Sequence, residues 1–139
     1  MGDRMGDGSC SCEPSEVLIF SCSGASNLGQ IANEVALRLR EAGKGTMYCT
    51  AGMGGHVPGL VDGARNAKVL VGIDGCPVRC VKSCLEAEGL APAVHFVITE
   101  EIVVEKGFRR PTEGEVVAIL NVADERMSKK MNLEQHEVR

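Results

Sequence analysis

Residues 69 to 77, VLVGIDGCP, constrain this chain more than any other stretch. The apolar run from Val69 to Ile73 reads as a strand buried on both faces. Asp74-Gly75-Cys76-Pro77 then turns the chain, and Pro77 suits the first position of a following helix. On that reading Cys76, Cys80 and Cys84 recur at i, i+4 and i+8 and share one helix face. A buried strand running into a helix is the repeating unit of a parallel sheet.

The flanking chain repeats the unit. Glu16 to Ser21 (EVLIFS) predicts a first strand, left by the loop Cys22-Ser23-Gly24-Ala25-Ser26-Asn27. Ser26 or Asn27 can cap a helix running to about Ala42, with Ile31, Val35, Leu37 and Leu39 at apolar positions. Thr46 to Thr50 is a short second strand, followed by a glycine-rich loop over 51–59 and a short helix from Leu60 to Asn66. The cysteine helix closes at Gly89, and Ala93 to Thr99 (AVHFVIT) is a fourth strand. Residues 101–106 read as a short helix or strand. Arg109 to Thr112 read as a loop, and Glu115 to Leu120 as a fifth strand or the start of a helix. Strand and helix alternate, with links long enough for crossovers. The expected fold is α/β: one three-layer sandwich with a mostly parallel sheet of four to five strands and helices on both faces, Rossmann- or flavodoxin-like. Its expected extent is 15–123, between a Gly-, Ser- and Asp-rich leader over 1–14 and a polar tail from Asp124, helical or frayed.

Composition narrows the function. At 139 residues the chain has room for one compact domain with a real core. Aromatic residues make up 3% and the formal charge is −4, which argues against nucleic acid: base stacking needs rings and phosphate needs a basic face. No apolar run reaches the roughly 20 residues of a membrane helix. The amino-terminal stretch carries no signal-peptide core, so a cytoplasmic, reducing location is expected. Seven cysteines then point to metal or redox chemistry rather than to structural disulfides.

Three of those cysteines sit where function gathers. In an open parallel sheet, ligands bind beyond the carboxyl ends of the strands. Cys22, Cys49 and Cys76 each lie at or just past the end of a predicted strand, and Cys80 joins them from the first turn of the third crossover helix. Four thiolates form a set that zinc accepts, at about 2.3 Å per bond. A helix amino terminus favours the thiolate, so Cys22 and Cys76 are expected to ionise readily. Cys84, a turn further along, reads as a packed core thiol, and the Cys10/Cys12 pair receives no specific role. Asp74 either caps the turn or supports a ligand. His56 is a loop histidine near the same rim, either a substitute ligand or simply solvated; His95 and His136 receive no role. The loop at 22–27 runs into a helix amino terminus, where free amides attract anions. It is not a P-loop, lacking the Gly-Lys-Ser/Thr ending, nor is it G-x-G-x-x-G. A small anionic or thiol ligand is therefore a candidate partner beside the metal.

The blocks Cys22-Ser23-Gly24-x-Ser26-Asn27-x-Gly29-Gln30, Cys49-x-Ala51-Gly52-x-Gly54 with Pro58-Gly59, and Ile73-Asp74-Gly75-Cys76-Pro77-x2-Cys80 resemble the DGC family, small proteins named for their Asp-Gly-Cys tripeptide. The resemblance runs from about Val17 to Thr99. It implies that Cys22, Cys49, Cys76 and Cys80 are zinc ligands, the same set that strand-end placement selects. An iron–sulfur cluster would use the same four residues. The rival expectation is a thiol enzyme, redox or sulfur-handling, with Cys22 or Cys76 as nucleophile and Cys80 as resolving partner.

Overall fold

A computed structural model describes residues 16–137, with side chains to 133. The leader with Cys10 and Cys12 lies outside the described residues, as does the His136 side chain. The elements are β1 (Val17–Ser21), α1 (Asn27–Glu41), β2 (Thr46–Met47), α2 (Thr50–Gly54), α3 (Pro58–Arg65), β3 (Val69–Asp74), α4 (Cys80–Ala87), β4 (Val94–Val97), α5 (Ile98–Glu101) and α6 (Glu113–Glu137).

The four described strands form one parallel sheet in the order β2-β1-β3-β4. β1 and β3 are the central pair, in register from Val17↔Val69 to Ser21↔Ile73. Strands with helices on both sides are buried on both sides, and every residue of β3 is buried. The period-two alternation of a strand divides the core. Ile19, Val71 and Ile73 face α1 and α6, where Leu28, Ile31, Val35, Leu39, Val116 and Ile119 meet them. Leu18, Phe20 and Leu70 face the other way, onto Met53, Val61, Val81 and Leu85. The result is the expected three-layer α/β sandwich. The chain leaves β1 for β2 on one side and for β3 on the other, so strand order switches between β1 and β3.

Two boundaries differ from the sequence reading and one alternative is decided, each for a local physical reason. β2 ends at Met47, because residues 50–54 wind into α2 instead of looping; Cys49 Sγ accepts the Gly52 amide at 3.3 Å, and Met53 is fully buried. α4 starts at Cys80, not at Pro77. The buried Asp74 carboxylate accepts the amides of Val81 (2.8 Å) and Lys82 (3.2 Å), so it is Asp74 that sets the first turn. Cys76 therefore lies in the preceding turn, and only Cys80 and Cys84 share the helix face. Of the two readings open for residues 115–120, the helix is the one the structure adopts, with no fifth strand among the described residues. Thr112 Oγ1 accepts the Glu115 amide while Glu115 Oε2 accepts the Thr112 amide, a capping box that opens α6. α6 runs unbroken past Asp124, and Met127 is still buried.

Candidate functional site

Cys22 and Cys76 leave the two strands that flank the switch point, where an open parallel sheet leaves its crevice. The Cys22 amide donates to Ile73 O at 2.9 Å, which extends the β1–β3 ladder by one residue and fixes where the thiol emerges. The two loops are pressed onto the first turn of α1. A Cβ on Gly75 would come within 2.9 Å of Leu28 Cβ, and one on Gly29 within 2.8 Å of the Gly24 amide nitrogen. Glycine at both positions lets the loops approach this closely.

A cavity of about 360 Å³ opens at this point, lined by Cys22, Cys76, Cys80, Leu28, Lys106 and Phe108 among others. Three of the four predicted thiols thus share one space. The fourth does not line it: Cys49 is exposed, and its sulfur is engaged with the Gly52 amide. It is nevertheless on the same rim, since Thr50 Oγ1 donates to Ser21 O at 3.0 Å, next to Cys22.

Cys22 does not ionise readily as expected. Burial pushes its thiol up, outweighing a backbone hydrogen bond from Gly75 that pulls the other way; negative charge at Cys80, Asp74 and Cys76 raises it further. Burial first, then Cys80 and Asp74, also pushes up Cys84, which is half-buried beside α2 and packs against the Met53–Leu85 core. His56 is not in the cavity. It adopts a left-handed backbone (φ 56°), and its Nδ1 pairs with Glu88, just past the end of α4.

Asp74 is fully buried and triply engaged: beyond the two α4 amides, His95 Nε2 lies 2.8 Å from its Oδ2. His95, left without a role by the sequence, reaches Asp74 from β4. Arg79, in the left-handed region (φ 56°, ψ 50°), immediately precedes Cys80 and pairs with Glu100 at 2.9 Å. Asp74 thus holds the turn that carries Cys76 and Cys80.

The strap between α5 and α6, residues 102–112, crosses the mouth of the cavity. Asn27, fully buried, anchors it: Nδ2 donates to Glu105 O (2.9 Å), Oδ1 accepts from Gly107 N (2.8 Å), and its own amide donates to Gly107 O (2.9 Å). The strap brings Lys106 Nζ to 3.6 Å from Cys76 Sγ and sets Phe108, 92% exposed, at the rim. These contacts also occupy the α1 terminus: the Asn27 amide is taken by the strap and the Gly29 amide by Ser26 Oγ. Lys106 is the cation among the residues that line the cavity. No sequence signal marked Lys106 or Phe108, because their strap lies about 30 residues from Cys76 and 80 from Asn27.

The donor chemistry fits a thiophilic ion, since three thiols border one cavity and a fourth stands on the same rim. Among the described residues, however, no three His, Cys, Asp or Glu side chains converge as a ready-made metal cage, so ligation requires these thiols to turn inward. No helix among the described residues is long and apolar enough to cross a membrane.

The DGC domain matches residues 18–132 of this chain. The Anaerobic and virulence modulator AnvM of Pseudomonas aeruginosa (strain PAO1) is 46% identical over 83 residues, 60% of this chain and 63% of that protein. No solved structure matches.

Proposed function

The chain belongs to the DGC family, and from that premise we propose that it is a metal-binding protein holding one thiophilic ion, zinc first, at the carboxyl rim of its sheet. The observation that carries the reading is the shared cavity: Cys22, Cys76 and Cys80 arrive from two loops and a helix start to border one space at the strand-order switch. Cys49, on the adjoining turn, is the candidate fourth ligand. Zinc in such a site is held by thiolates alone. Asp74, with His95 behind it, would orient the turn bearing Cys76 and Cys80, as the supporting shell of a metal site does. A domain with this much apolar core does not need a metal staple to fold, so ligands at the ligand-binding rim favour carriage or sensing over scaffolding.

The test is metal analysis of protein purified without added metal or chelator, with thiols counted before and after mild chelation. One ion per chain, unmasking thiols on removal and lost in C22S, C76S and C80S, supports the reading; colour and visible absorbance would turn it to an iron–sulfur cluster. No ion, with one thiol reacting unusually fast near neutral pH, would sink it. That outcome favours thiol chemistry at the same cavity, for which Cys80 is placed by its exposure at the first turn of α4.

A further inference from the structure

The cavity is larger than an ion needs. At about 360 Å³ it falls in the range of small-molecule sites, and its walls are of three kinds. Three thiols line it, with apolar side chains from Leu28, Val78 and Phe108 and one cation, Lys106. The strap carrying Lys106 and Phe108 is tied down by three hydrogen bonds to one buried asparagine, so the backbone from which these two side chains spring is fixed. Cys49, by contrast, does not line the space and already has a partner in the Gly52 amide.

Resting on the metal-binding reading, we infer that Cys22, Cys76 and Cys80, turned inward, are the protein's own donors, and that the remaining donor place is filled from the cavity by a small anionic thiol recognised by Lys106. A thiol is the chemistry that matches three soft donors. It would bind as the thiolate, its proton passing to solvent. Each thiolate makes the site more anionic, so a second negative group on the ligand would be accepted only beside Lys106, the cation in the cavity wall next to Cys76. Phe108 and Val78 would cover the ligand's carbon skeleton. Cys49 then serves as the arm that helps cap α2 at rest and competes for the same place when the ligand leaves.

Cobalt(II) tests this directly, because sulfur-to-cobalt absorption reports the donor set without any assay of activity. Wild type, C49S, C76S and K106M are loaded with cobalt, desalted, and titrated with mercaptosuccinate, 2-mercaptoethanol and succinate. The expected result is one retained cobalt in wild type and C49S and none in C76S. Mercaptosuccinate should change the C49S spectrum at lower concentration than 2-mercaptoethanol, while succinate leaves it unaltered. K106M should need roughly three- to tenfold more mercaptosuccinate and no more 2-mercaptoethanol. Loss of cobalt from C49S as complete as from C76S would overturn the inference while leaving the metal reading standing. So would a spectrum indifferent to thiols, or K106M indistinguishable from wild type. Absence of cobalt from wild type would overturn both.

Discussion

Asn27 and Asp74 are the two buried polar side chains on which the site depends, and each meets the requirement that buried polar groups find partners. Asn27 satisfies both ends of its amide with strap backbone. Asn27→Ala removes two part-buried hydrogen bonds to the strap, and should cost about 1–3 kcal/mol in urea unfolding. Amide exchange at 105–107 should rise with it. Asp74 accepts from two helix amides and faces His95. Asp74→Asn keeps the volume but replaces one acceptor oxygen by a donor, so one of the two helix amides loses its acceptor. A loss of about 2–4 kcal/mol is expected, measured the same way. A variant as stable as wild type would show that Asp74 does not set the start of α4. Both residues were visible in the sequence as possible cap or motif residues. Their partners were not, because those partners come from 78 and 21 residues away.

At the scale of elements, α6 is the part whose identity depended most on local chemistry. Pro111-Thr112-Glu113-Gly114-Glu115 contains the Thr-x-x-Glu spacing of a capping box, the signal that distinguishes a helix start from a fifth strand over 115–120. Thr112→Ala should cost about 1 kcal/mol. Glu115 also meets Arg109 across a two-bond fork, and that guanidinium chiefly holds its carboxyl down to about 2. A carboxylate lowered in the folded state contributes stability above its unfolded pKa, and that contribution is lost as pH falls from the ordinary carboxylate range toward 2. Urea titrations stepped from pH 5 to pH 2 should therefore show a steeper loss for wild type than for Glu115→Gln. Identical slopes would mean that Arg109 and Thr112 do not hold the carboxylate in solution. α2 yields the opposite lesson. Its glycines read as a loop, and the helix forms because Met53 is buried against the sheet and the Cys49 sulfur caps the turn.

For the whole molecule, the two core layers make α6 integral to the fold. Val116, Ile119, Ala123 and Met127 continue the cluster that covers one face of the sheet, and Arg126 is ion-paired with Glu101 on α5. A chain ended at Ala123 exposes the surface that Met127 covers and should melt at markedly lower temperature than the full chain. Ile119→Ala, a deletion at a fully buried position, should cost about 2–5 kcal/mol in equilibrium unfolding. An unchanged melting temperature for the shortened chain would instead place the domain's end where the charge pattern changes.

The alternation of apolar runs and amphipathic stretches was enough to determine the sandwich, its parallel sheet and the rim at which Cys22, Cys49, Cys76 and Cys80 gather, because side-chain periodicity and crossover length are properties of the chain itself. Tertiary structure alone decided that three of those thiols border one cavity while the fourth caps a helix. It alone turned the 102–112 strap back over them, and it alone let the Asp74 carboxylate fix the start of α4 at Cys80 rather than at Pro77. The cavity and the strap depend on contacts between segments far apart in the chain, and the two helix starts on specific side-chain-to-amide bonds. Such contacts leave no periodic trace in the residues that make them.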